Sequence, residues 1–234
     1  MRGRPARILS TALITASLVI FADAAATLAW EEPVSSLYAS IQQGQAKEEL
    51  EELEEDFPSE ADLRAVEGVV GDVERTKILA KRFHKRIEEG DAIGRIKIYR
   101  GTRLNIVMVE GTDDVTLRKG PGHYPDTKLP GEGSTAGIAG HRTTYLAPFS
   151  DIQKLVRGNK IIIEMPYGDL TYAVQKHEIV TPDRTDIVDP VGYDRIVLTA
   201  CHPRYSAAKR YAIFARLERV DAPDAWHVSD RFTP

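Results

Sequence analysis

The chain has a single cysteine, Cys201, in 234 residues. It therefore cannot form an internal disulfide, and its six histidines have no second thiol to group with. No Cys/His spacing of the metal-ligand kind occurs, so neither a metal nor a cofactor is expected. An excess of positive charge is also missing: 31 Lys and Arg stand against 35 Asp and Glu, a formal net charge of −4. Without the basic footprint that neutralises a phosphate backbone, nucleic acid is excluded as a partner. There is no internal repeat, and long apolar runs are scarce, with one near the N-terminus.

That run, residues 8–30, follows Arg2, Arg4 and Arg7. Its length suits a bilayer span, and the preceding positive charge predicts a cytoplasmic N-terminus with the rest of the chain outside. Asp23 interrupts it. A central Asp costs roughly 2.5–3.5 kcal/mol on insertion, but this one lies toward the outer end, where the cost falls. A retained single-pass anchor is the favoured reading. A cleaved signal is the alternative, since Ala22-Asp23-Ala24 matches a small-x-small cleavage pattern. Both place the main domain outside the cytoplasm, where a lone free thiol points to reactivity more than to packing.

Residues 31–91 read as a helical stalk. An acidic helix over 34–57 carries Leu37, Ile41, Leu50 and Leu53 and ends at Pro58. A basic helix over 73–89 carries Ile78, Leu79, Phe83 and Ile87 among Lys77, Lys81, Arg82, Lys85 and Arg86. Their thin apolar stripes predict a solvated spacer, with pairing of the two helices, or docking of the basic one on anionic surface polymer or lipid, as alternatives.

From residue 92 the pattern changes to short strands. Hairpins are predicted over 92–99 with 104–110 and over 160–166 with 170–180, and single strands over 134–140, 195–201 and 210–220. Short helical turns are expected at 112–119, capped by Thr112, and at 148–156. The Gly120-Pro121-Gly122-His123-Tyr124-Pro125 stretch reads as a loop, and 221–234 as a polar tail covering a surface. The fold class is mainly β, a barrel or sandwich with few helices.

Cys201 ends one predicted strand and Arg210 begins the next. If the two pair antiparallel, thiol and guanidinium lie side by side, an arrangement that favours thiolate and offers donors to an oxyanion. Arg204, in the loop between them, is the weaker alternative. Nucleophilic catalysis also needs a proton shuttle, normally histidine. His84, His177 and His227 read as surface residues, and His202 points away from its chain neighbour Cys201. His123, on the proline-glycine loop, is placed to line a groove. His141, where the small-residue strand Ala136-Gly137-Ile138-Ala139-Gly140 stops, is the best acid and base candidate.

The segments Gly137-Ile138-Ala139-Gly140-His141-Arg142-Thr143-Thr144-Tyr145 and Val197-Leu198-Thr199-Ala200-Cys201-His202-Pro203, with Arg210, resemble the sortase family, most closely the class E sortases of actinobacteria. The resemblance covers about residues 92–220. It implies a membrane-anchored cysteine transpeptidase with an eight-stranded β-barrel. Cys201 would attack the threonine carbonyl of a Leu-Pro-x-Thr-Gly-like or Leu-Ala-x-Thr-Gly-like sorting signal, His141 would shuttle the proton, and Arg210 would hold substrate and oxyanion. Thr143, Thr144 and Tyr145 would contact substrate in the family manner or simply shape a loop, and Thr199 and His123 are further candidate substrate-binding residues. The implied partners are surface proteins bearing a C-terminal sorting signal and an amine acceptor from a peptidoglycan precursor or a pilin. The family pattern before the nucleophile is Thr-Leu-x-Thr; here Val197 and Ala200 replace its two threonines. A cysteine protease ending in hydrolysis, and a non-catalytic peptide-binding pilus scaffold, are the rival readings.

Overall fold

The computed structural model describes residues 4–30 and 33–222. Eight strands, β1 (Ala92–Ile98), β2 (Leu104–Glu110), β3 (Gly122–His123), β4 (Thr135–Ala139), β5 (Lys160–Met165), β6 (Gly168–Val180), β7 (Arg195–His202) and β8 (Lys209–Asp221), close into a barrel in the order β1-β2-β3-β4-β7-β8-β6-β5. Closure leaves no unpaired strand edge. Strand β5 shows the sequence logic: Ile161 and Ile163 are buried while Lys160 stays exposed, the period-2 pattern of a sheet with one face in the core. Strand β7 is covered on both faces. Ile196, Leu198 and Ala200 join the main core, whereas Val197 packs outside with Ala212 and Phe214 beneath Ile187 and Val188.

Two pairings are parallel, β2 with β3 and β4 with β7. The second runs from Thr135 opposite Arg195 to Ala139 opposite Thr199. It continues one step further, where the Gly140 N–H donates to Thr199 O at 3.0 Å. A Cβ on Gly140 would meet the Phe149 ring at 2.5 Å, so only glycine fits at this crossing. Antiparallel pairing of β7 with β8 sets Cys201 opposite Arg210.

Four helices precede the barrel: α1 (Arg4–Trp30), α2 (Pro33–Asp56), α3 (Glu60–Arg64) and α4 (Asp72–His84). Within α1, the 19 residues Arg7–Ala25 are long and apolar enough to cross a membrane, and none of that window is buried against the protein. The expected solvated spacer does not form. Ala46 and Leu50 of α2 pack on Ala92 and Val107, and the Gln43 amide accepts from Val107 N and donates to Val107 O and Lys119 O at 2.7–3.0 Å. Leu79, Ala80 and Phe83 of α4, spaced for one helix face, enter the main core with Phe57 and Tyr167. Between α3 and α4 the Asp62 carboxylate is fully buried and accepts from Arg82 Nε at 2.5 Å and Arg86 Nη2 at 2.7 Å. Burial pushes the Asp62 pKa up, but Ser59 and the two guanidinium groups outweigh it and hold it at about 2.

Smaller departures have local causes. The turn expected at 112–119 is a single 3-10 turn, Thr116–Arg118. Asp113, not Thr112, supplies the side-chain acceptor in front of it, taking Val115 N at 2.8 Å and Thr116 N at 3.2 Å. The turn expected at 148–156 is likewise a 3-10 turn, Ile152–Lys154. Gly122 and His123, expected in a loop, form the short strand β3. Most of the expected surface tail, from residue 223, lies outside the described residues, as does His227.

Candidate active site

The site lies at one end of β4, β7 and β8, and strand register creates it. Because Ala139 lies opposite Thr199 in a parallel pair, the residues two steps on, His141 and Cys201, leave neighbouring strands at the same end of the barrel. Adjacent strands are about 4.8 Å apart, so the two functional side chains start as neighbours. The antiparallel β7–β8 pair adds Arg210 on the other side of Cys201. Three residues far apart in the chain thus converge through two ladders.

Alternation along β7 sorts its side chains. Cys201 shares a strand face with Thr199 and Val197, while Ala200 points into the apolar barrel core. A threonine at 200 would place its hydroxyl among buried apolar groups, so alanine there suits the packing of this barrel. Thr199 is buried, and its hydroxyl shares a 2.8 Å hydrogen bond with Tyr124 OH.

His141 is half-buried, and its Nε2 is buried with no hydrogen-bond partner among the described residues. Burial is the largest influence on its pKa, and with Arg118 it outweighs Asp114 and holds the imidazole below its ordinary value. The ring is therefore neutral near pH 7, ready to accept a proton. Tyr145 lies beside it with ring centroids 5.2 Å apart. The loop that carries Tyr145 takes a left-handed course through Tyr145, Leu146 and Ala147, with φ of 50°, 64° and 41°. Non-glycine residues adopt that region at a cost, offset here by Phe149 N–H donating to His141 O at 3.0 Å and Ala147 N–H to Thr144 O at 2.8 Å. Helix α2 reaches this loop: Tyr145 N–H donates to Ser35 Oγ at 3.4 Å, and the Tyr38 and Tyr145 rings meet edge-on at 6.4 Å.

Arg210 Nη1 donates to Ala207 O at 3.0 Å and Lys209 O at 3.1 Å, so its guanidinium rests on the β7–β8 loop. Arg204 Nη2 donates to Ser150 O at 3.2 Å. Thr143 and Thr144 are half-buried on the loop after His141. His123 does not line a groove. It is fully buried, with Nδ1 at 2.8 Å from Glu110 and Nε2 at 3.0 Å from both Lys128 O and Thr127 Oγ1. Its position in β3, between β2 and β4, turns the ring inward and leaves no surface for a peptide. His84, expected at the surface, forms a half-buried pair with Glu132 at 2.5 Å. His177 is exposed and stacks on Tyr211. Among the described residues, no group of three or more His, Cys, Asp or Glu side chains is placed to hold a metal.

Three contributors were not legible as such in the sequence. Arg142, next to His141, is buried against the end of β7, with Nη1 donating to Cys201 O at 3.2 Å. Its place in the His-Arg dipeptide was the only signal, and the parallel ladder gives it meaning. Tyr38 and Ser35 of α2 had no local signal, because their contacts lie over 100 positions downstream.

The sortase-domain family profile matches residues 96–218, more than half of the chain and nearly the whole barrel. The chain belongs to the sortase family. It is 34% identical over 133 residues to sortase D of Bacillus subtilis, covering 55% of this chain and 65% of that protein. To sortase A of Bacillus anthracis it is 29% identical over 136 residues, covering 58% and 64% respectively. The chain thus spans just under two thirds of the length of these two relatives. The solved sortase D5 transpeptidase of Clostridium perfringens superposes with a TM-score of 0.58 at 27% identity, over 74% of this chain and 98% of that one. Sortase E of Streptomyces avermitilis does so with a TM-score of 0.53 at 29% identity, over 59% and 95%. The family is common to all four relatives, and the class letter differs among them.

Proposed function

We propose that this sortase is a cysteine transpeptidase that cleaves a Leu-Pro-x-Thr-Gly-like or Leu-Ala-x-Thr-Gly-like sorting signal between threonine and glycine. It then joins the threonine to an amine of the cell wall or of a pilin. The observation that carries the reading is the convergence of His141, Cys201 and Arg210 at one barrel end through the β4–β7 and β7–β8 registers. With a neutral imidazole beside the thiol, Cys201 passes its proton to His141 as sulfur attacks the threonine carbonyl carbon. The tetrahedral oxyanion is met by Arg210, which must turn from its loop carbonyls to reach it. The C–N bond to glycine then breaks, and His141 returns the proton to the departing amine, leaving a thioester on Cys201. An acceptor amine attacks the thioester and loses a proton to His141. The new amide leaves, and the proton returns to sulfur.

Thr143, Thr144 and Tyr145 shape the substrate groove beside the imidazole, and Thr199 acts through its bond to Tyr124. The span Arg7–Ala25 anchors the chain in the cell membrane as a single pass, with the barrel on the outer side.

The test uses the full chain in vesicles with a pentapeptide library and an amine acceptor, with products identified by mass. An amide product is expected, and Cys201→Ala abolishes it while the circular dichroism spectrum is unchanged. Free acid as the sole product makes the protein a cysteine protease. Binding with no product makes it a peptide-binding scaffold. Undiminished turnover by Cys201→Ala sinks the mechanism.

A further inference from the structure

Arg142 has the chemistry of a working residue, yet nothing in the mechanism above uses it. Its side chain is buried, and its three hydrogen-bond partners are all neutral. Nη1 donates to Cys201 O at 3.2 Å and to His202 Nδ1 at 2.9 Å, and Nη2 donates to Gln153 Oε1 at 2.8 Å. Its Nε is buried without a partner, and the guanidinium carbon sits 5.7 Å from the centre of the Tyr211 ring. A buried guanidinium normally has a carboxylate against it, because removing the charge from water costs several kcal/mol. Among the described residues Arg142 bonds to no carboxylate, so it is retained here at a cost to stability. Burial, then Arg204, lowers its affinity for its proton, although an arginine stays charged regardless.

The position explains the cost. Arg142 follows His141 directly in the chain, and its side chain crosses to the neighbouring strand to hold the carbonyl of the nucleophile itself. The planar fork also accounts for His202: by donating to Nδ1 it requires that nitrogen to be an acceptor. That bond occupies the lone pair on which a neutral imidazole would take a proton, which keeps His202 out of the proton transfer; burial, followed by the Arg142 and Lys209 cations, also holds it below its ordinary pKa. Gln153, from the 3-10 turn Ile152–Lys154, anchors the other arm of the fork. Three chain segments carrying His141, Cys201 and Gln153 are thus tied together at one guanidinium.

We propose that Arg142 is a positioning residue for acyl transfer. It locks the end of β7 to the His141 loop so that sulfur and imidazole stay in register during proton transfer, and it holds His202 as a neutral bystander. The inference rests on the transpeptidase reading above. It predicts a loss in the chemical step, because a displacement of about 1 Å between reacting groups can cost about 100-fold in rate.

The experiment takes the full chain in vesicles and the peptide that yields most amide product, and follows acyl-enzyme formation by mass without acceptor. Arg142→Gln is expected to slow acylation at saturating peptide about 100-fold. The half-saturating peptide concentration should stay within about twofold, since the residue acts through Cys201 and not on the peptide. Arg142→Lys should recover less than about a tenth of the loss, because one ammonium cannot span acceptors on three segments. Gln153→Ala is a milder change at an exposed residue. It should slow acylation about fivefold, the equivalent of one hydrogen bond. Wild-type acylation in Arg142→Gln, full rescue by lysine, or a loss confined to half-saturation would each overturn the proposal. If the Arg142 variants do not fold, wild-type acylation by Gln153→Ala overturns it instead. Acylation that survives Cys201→Ala is a separate result and defeats the transpeptidase reading itself.

Discussion

Two of the buried charged side chains, Asp62 and Arg142, are satisfied in opposite ways. Asp62, between α3 and α4, is fully enclosed and met by Ser59, Arg82 and Arg86, every lone pair facing a donor or a cation. Arg142 has only neutral partners and one orphaned nitrogen, and the neighbouring imidazole has another. The Asp62 carboxylate is satisfied completely and acts as a clamp. The second leaves them short, the condition in which a small gain from a substrate or a transition state can be used. At Asp62 the electrostatics close, and at the His141–Arg142 end of the barrel they do not.

The sharpest test of that contrast is His141→Ala. Activity is expected to fall about 10²–10⁴-fold, the usual contribution of a proton shuttle, with the melting temperature unchanged or slightly raised, because a buried unpartnered nitrogen is removed. Steady-state amide formation and thermal melts on the same sample check both halves. A large loss of stability would place His141 with the clamp and break the contrast.

Asp62→Ala should do the reverse. Arg82 and Arg86, 38% and 43% exposed, are left in reach of water, so the loss is that of charge-assisted hydrogen bonds, about 1.5–3 kcal/mol, measured by denaturant unfolding, while acylation by the remaining folded protein stays at the wild-type rate. A smaller effect of the same kind is expected from Gln43→Ala, which strips the backbone groups of Val107 and Lys119 of their partner at a cost of about 1–3 kcal/mol.

Asp194 sharpens the comparison through pH. It lies just before β7, at the end remote from Cys201, and accepts from Tyr172 OH at 2.7 Å and Gly133 N at 2.8 Å. Burial raises its pKa to about 6 despite these bonds. A carboxyl raised on folding contributes stability below its unfolded pKa, and that contribution is lost as pH rises through about 6. Between pH 5 and pH 7 the melting temperature of the wild type should therefore fall relative to Asp194→Asn, whatever the offset between the two curves. Parallel curves would show that the carboxyl is not under strain.

Most of the strand positions were readable because alternation, turn residues and β-branched runs are local signals, as in Ile161 and Ile163 of β5. The two-residue strand β3 was not, since nothing within Gly122-His123 distinguishes a strand from the loop around it. His123 therefore read as a groove residue, when its neighbours β2 and β4 turn it inward to Glu110. The stalk was misread for a similar reason. The stripe of Leu79 and Phe83 looks thin by count, and only Phe57 and Tyr167 on the other side show that it is a core face.

What the amino-acid order determined by itself was which groups are present and in what local setting. These are a lone thiol at a strand end, a histidine after a run of small residues and an arginine at the next strand start. Each depends on a few consecutive residues. Which of them meet was decided by tertiary structure alone. The parallel β4–β7 ladder joins residues 60 positions apart, and no local propensity encodes that register. The same ladder brings Arg142 to the carbonyl of Cys201 and brings Ala200 into the apolar core, two facts invisible along the chain because each depends on which strand lies next door.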